Sequence, residues 1–125
     1  MNRALLISLV MMALSQSVNG QTKSDFCKKW NLKGYIYWGI TLSPEETEIN
    51  DFLNFNKNGT FNSIDRGMSE KGAWEWNIEN NSLYLYDDKS KEPLIFKVIE
   101  VTETELILLL QDDDNSIKLK FSSAK

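Results

Sequence analysis

Trp74-Glu75-Trp76-Asn77-Ile78-Glu79-Asn80-Asn81-Ser82-Leu83-Tyr84-Leu85-Tyr86 alternates apolar and polar side chains on either side of an Asn pair. Period-two alternation marks a strand with one face toward a core, and Asn tolerates the positive φ of a tight hairpin turn. A two-residue turn at Asn80-Asn81 sets Ile78 against Leu83 and Trp76 against Leu85, so the apolar groups of both arms share a face. Tyr84 and Tyr86 then fall on the other face, opposite Asn77 and Glu75.

Two further stretches close in the same way. Lys57-Asn58-Gly59 makes a three-residue turn with Gly at the left-handed position, so that Phe55 meets Phe61. Asp112 to Asn115 sets Leu110 against Ile117, Leu108 against Leu119 and Leu106 against Phe121. A slip of one residue would carry a whole apolar set to the water side, so three loops that fit three patterns fix the register strongly. The chain reads as an all-β, antiparallel meander of about eight strands, near 30–38, 49–56, 60–64, 71–79, 82–87, 93–101, 104–111 and 116–122. Closure into a small barrel or a curled sheet removes the edges that invite aggregation. Between the first two strands, Ser43-Pro44-Glu45-Glu46 has a cap residue, Pro at the first helical position and a Glu that can reach back, which predicts one short helical turn over an end of the sheet.

Strand parity gives an interior list: Leu32, Ile36, Trp38, Leu53, Phe55, Phe61, Trp74, Trp76, Ile78, Leu83, Leu85, Leu94, Phe96, Val98, Leu106, Leu108, Leu110, Ile117, Leu119 and Phe121. All four tyrosines, Tyr35, Tyr37, Tyr84 and Tyr86, fall on the solvent side. A three-residue loop at Val101 to Glu103 would place Ile95 opposite Leu109 with Ile107 close by on the outer face. That trio reads either as scattered surface apolar groups or as a contact patch for a partner or a second copy.

Residues 1–20 have a basic start at Arg3, an apolar stretch from Ala4 to Leu14 and a small-polar end, the pattern of a secretory signal cleaved near Gly20. The apolar run is well short of the roughly 20 residues that span a bilayer, so no stable membrane insertion is expected once the signal is removed. Residues 21–125 suit one domain, exported to the periplasm or secreted. With a single Cys, Cys27, no internal disulfide can form. Cys27 reads as an inert thiol near a frayed end, or as one half of an intermolecular disulfide. The net charge of −4, with Lys scattered singly, offers no footprint for nucleic acid.

There is no His, which removes the commonest general base and the commonest metal ligand together. Glu103 and Glu105 lie at a turn and just after it, Glu75 and Glu79 have outward parity, and Asp87-Asp88 begin a loop. These read as solvated surface charges, and a carboxylate-based enzyme would need two acidic groups converging in one pocket. Asp112 to Asn115 lacks the Gly and the ligand number of a calcium loop and reads as a polar hairpin tip. No catalytic residue, metal or cofactor is expected.

At Leu32-Lys33-Gly34, Phe55-Asn56-Lys57-Asn58-Gly59-Thr60-Phe61, Gly72-Ala73-Trp74-Glu75-Trp76 and Ser82-Leu83-Tyr84-Leu85 the chain resembles the small lipocalin-like, calycin-type domains of exported Bacteroidetes proteins. The resemblance implies a cup for a small hydrophobic molecule, with the Ser43 to Glu46 segment where a lid would sit. Larger lipocalins close the barrel floor with a late Arg over a Trp; here no Arg follows Arg66. The expected function is an exported, non-catalytic protein, its ligand held between Trp38, Phe55, Trp74, Trp76 and Phe96. Trp74 and Trp76 read first as core, which large aromatics on one strand parity usually form. The alternative is a protein-interaction, inhibitor or envelope accessory module with a filled core, using Ile95, Ile107 and Leu109 on its outer face.

Overall fold

A computed structural model describes residues 22–112 and 115–123; the signal expected over residues 1–20 and the Asp113-Asp114 tip of the last hairpin lie outside the described residues. A four-residue helix α1 (Lys23–Phe26) precedes β1 (Lys29–Tyr37) and β2 (Ile40–Leu42). After a 3-10 turn at Glu46–Glu48 come β3 (Phe52–Phe55), β4 (Thr60–Asp65), β5 (Met68–Asn77), β6 (Ser82–Asp87), β7 (Leu94–Val101), β8 (Glu105–Asp112) and β9 (Asn115–Ser123). Neighbours pair antiparallel, and β9 returns to β1 from Trp30↔Ser123 to Ile36↔Lys118. The ring is a closed eight-stranded barrel, with β2 as an extra strand outside it.

β1 departs from the expected alternation. Leu32 pairs with Phe121 but Gly34 pairs with Lys120, so Lys33 is an extra residue and inward parity passes from even to odd numbers. Tyr35 therefore turns inward, against the expectation that it faces water, and Ile36 takes the opposite face. The bulge rests on Gly34, whose φ is +152° and where a Cβ would lie 2.1 Å from the Leu42 carbonyl oxygen. Beyond it β1 leaves β3, which it pairs only over Lys29–Asn31, and binds β2 instead. Trp38 and Gly39, with φ of 53° and 79°, form the two-residue tip of this hairpin. Trp38 is consequently 98% exposed, not interior.

The Phe55↔Phe61 pairing and the three β8–β9 pairs stand as expected. The β5–β6 hairpin keeps its faces but slips by two residues: Trp76 meets Leu83 and Trp74 meets Leu85. The connection is four residues long because the Asn77 side chain accepts the Asn80 N–H at 2.9 Å, and Asn81 takes the positive φ of 55° and binds Val98 on β7 through both its carbonyl and its side chain. Ile78 is thereby left on the turn, 57% exposed. Thr102 sets the β7–β8 turn one residue later than expected, its hydroxyl accepting the N–H of Thr104 and of Glu105. With a bulge at Ile99, Lys97 then faces Leu109 and Ile95 faces Tyr84, correcting the Ile95–Leu109 pair.

One end of the barrel is solid. Phe26 from α1 is fully buried against Trp76, at 4.8 Å between ring centroids, and Trp74, at 6.4 Å. Phe55 packs on Trp74 at 4.8 Å. Trp30 is fully buried and donates its indole N–H to the Phe26 carbonyl at 3.1 Å, while Trp74 donates to the Asn56 carbonyl at 2.9 Å. Lys28 lies 5.1 Å over the Trp30 ring and donates to the Glu103 carbonyl. A lysine before β1 thus covers the floor Trp in a chain without a late Arg. Cys27, expected near a frayed end, is half-buried here; burial raises its thiol pKa despite Lys23 and Lys57.

Candidate functional site: an apolar cup with an acidic mouth

Each strand spans the distance between floor and open end, alternate strands in opposite directions, so its inward residues divide by height. On β6, Leu83 belongs to the floor and Leu85 to the cup; on β8, Leu106 and Leu108 are floor and Leu110 is cup. Above the floor the barrel encloses a cavity of about 640 Å³, walled by Leu32, Leu53, Phe61, Leu85, Phe96, Leu119 and Phe121. That volume lies within the range of small-molecule sites.

Near the mouth the lining turns polar. Among the described residues six carboxylates contribute to it, Glu48, Asp51, Asp65, Glu70, Asp87 and Glu92, against one cation, Arg66. The sequence reading placed Asp87 among solvated loop charges, whereas it ends β6 and lines the mouth; Glu48 and Asp51, which that reading did not single out, are 8% and 7% exposed. Both have structural partners. Glu48 accepts the Tyr35 hydroxyl proton and the Glu45 N–H, which moves the capping role of the 3-10 turn from Ser43 and Glu46 to Glu45 and Glu48. The Tyr35 hydrogen bond lowers the Glu48 pKa, and burial beside that carboxylate raises the Tyr35 pKa. Asp51 accepts the Arg66 N–H on both oxygens, at 2.9 and 3.0 Å, and so braces the Arg66-Gly67 turn that joins β4 to β5. Burial raises the Asp51 pKa against those bonds.

Glu70 and Asp87 face each other from β5 and β6. The hydrogen bond between them raises the Glu70 pKa, while Asp87, which accepts the Lys89 N–H at 2.8 Å, is lowered. Glu70 is thus the proton donor of the pair at acid pH. Ser63, which pairs with Glu70 from β4, is 7% exposed and lines the cavity, and its hydroxyl has no hydrogen-bond partner among the described residues. Among the described residues no group of three or more His, Cys, Asp or Glu could hold a metal ion.

Of the five residues expected to line a ligand site, the structure brings Phe96 alone to the cavity wall. Phe55, Trp74 and Trp76 are packed with Phe26 in the floor, and Trp38 stands outside the barrel. Leu94, expected inside, is 47% exposed at the rim. The mouth residues escaped the sequence reading because β1 changes parity and because Arg66-Gly67, an unmarked two-residue turn, extends β4 and β5 to the open end. On the outer face, Ile107 and Leu109 are half-buried between Lys97, Lys118 and Lys120, their cross-strand partners and neighbours, and Ile95 is 44% exposed.

A closed antiparallel ring with a plugged floor and an apolar cup is the architecture of a calycin, and a lipocalin-like domain model matches residues 27–108. The chain belongs to the lipocalin-like family. A solved structure of a lipocalin-like protein from Bacteroides uniformis has a similar fold, with a TM-score of 0.57 at 21% identity over 79% of this chain and 98% of that one. No curated protein matches the sequence. Members of the lipocalin-like family are generally binding proteins without enzymatic activity.

Proposed function

We propose that this lipocalin-like protein is exported and non-catalytic, and holds a small molecule with an apolar body in its cup. The observation that carries the reading is the cavity of about 640 Å³, open at one end and apolar along its walls, above a floor already filled by Phe26, Trp30, Phe55 and Trp74. Because packed side chains complete the floor, the concave apolar volume above it has the shape of a ligand site. Residues 1–20, with their signal pattern, support export. Among the described residues no helix is long and apolar enough to cross a membrane. Glu48 and Asp51 have hydrogen-bond duties within the fold, whereas Glu70 and Asp87 do converge in the pocket, so the binding reading rests on the apolar cup and the family.

Titration with Nile red, a neutral dye that brightens in apolar surroundings, tests the proposal. One molecule of dye should bind per chain, and dodecanol should displace it. Ser63→Phe, which fills the cup from β4, should lose about tenfold or more in dye affinity with an unchanged circular dichroism spectrum, the equivalent of about 1.4 kcal/mol. Equal binding by wild type and Ser63→Phe, or none by wild type, would refute a ligand-holding cup.

A further inference from the structure

The mouth has one sign of charge where the cup has none. Of the groups that line it, Glu48 and Asp51 are committed to Tyr35 and to the Arg66 backbone, and the Arg66 guanidinium turns to Asp65 at 3.5 Å. Glu70 and Asp87 have each other, the Lys89 N–H and the nearby Lys89 charge, and when both are ionised these neighbours on β5 and β6 repel. Low-dielectric walls focus such a field into the opening. Beside Glu70, its cross-strand neighbour Ser63 is buried and its hydroxyl lacks a partner among the described residues, a cost that a polar group of a ligand would remove.

Resting on the cup reading above, we infer that the preferred ligand is a cationic amphiphile, an alkyl or aryl amine or guanidine. Its positive head sits between Glu70, Asp87 and the Ser63 hydroxyl, and its apolar body lies on Leu85, Phe96 and Phe121. An ammonium donates to both carboxylates and to the hydroxyl oxygen and relieves the repulsion between the acids. A carboxylate or phosphate head in the same place would add a like charge to a ring of acids, which is unfavourable. The acids are spread around the opening with no metal-sized cluster among the described residues, which suits an organic cation carried on a stem.

Dodecylamine, dodecanoate and dodecanol share a chain and differ at the head, so their displacement of Nile red at neutral pH and low salt separates the two claims. Dodecylamine should bind about tenfold or more tightly than dodecanoate, an advantage that shrinks as salt screens the mouth. In the Glu70→Gln/Asp87→Asn double variant the ratio of amine to carboxylate affinity should fall toward one; should that protein not fold, the single variants read the same ratio. Binding of dodecanol and dodecanoate with no advantage for the amine overturns the head-group inference and leaves the cup standing. A ratio unchanged in the variants overturns the assignment to Glu70 and Asp87. Failure of all three ligands overturns cup and head group together.

Discussion

Tyr35 shows how far one inserted residue can move a side chain. The bulge at Lys33 turns its ring into the barrel, where its hydroxyl donates to the buried Glu48 carboxylate. Tyr35→Phe should destabilise the protein by about 1–2 kcal/mol at neutral pH, since it removes a hydrogen bond to a charged group. Urea denaturation measures this. The sign with pH follows from Glu48, whose pKa is lowered in the folded state. Its contribution is present above the unfolded carboxylate value and is lost as pH falls through the folded one, so the Tyr35→Phe difference should narrow in acid. Trp38 gives the opposite case. Fully exposed on its hairpin tip, it should be replaceable by Ser with a change in stability within about 0.5 kcal/mol. From the sequence the two residues read the other way round, because parity was counted through a bulge that shifts it, and the marker of that bulge, Gly34, is shared with many tight approaches.

At the scale of elements, alternation located the strands, and where the turn residues sit at the tip, as at Gly59, the register followed. Where side chains hold the turn the register slipped: Asn77 lengthens the β5–β6 connection and Thr102 shifts the β7–β8 turn, and neither effect shows in an apolar pattern. α1 was not anticipated, being four residues long with a single buried group, and yet it plugs the floor. Phe26→Ala should cost about 3–5 kcal/mol, read as a lowered urea midpoint, because the floor tryptophans would face a void. Gly34→Ala should also be costly. Its Cβ would meet the Leu42 carbonyl and its φ is unfavourable for a side chain, so a loss of at least about 2 kcal/mol is expected in thermal unfolding, with the β1–β2 hairpin losing amide protection first.

Across the whole molecule, the division into a packed lower half and a hollow upper half decides what the barrel can do. The tryptophans that mark the core in the sequence gather in the lower half, and so the largest aromatic groups were poor guides to the site. The cup wall is made of leucines and phenylalanines that parity placed inside, with Phe96 the one among them expected to touch a ligand, and its acidic mouth is assembled from three connections, β2–β3, β4–β5 and β6–β7, that no linear spacing joins. Backbone amide NMR of the protein during titration with dodecylamine tests this division directly. The account predicts saturable shifts at Leu85, Phe96, Phe121 and Ser63, with the indole signals of Trp30 and Trp74 unmoved. Shifts confined to Ile95, Ile107 and Leu109 on the outer face, or none at any concentration, would contradict it.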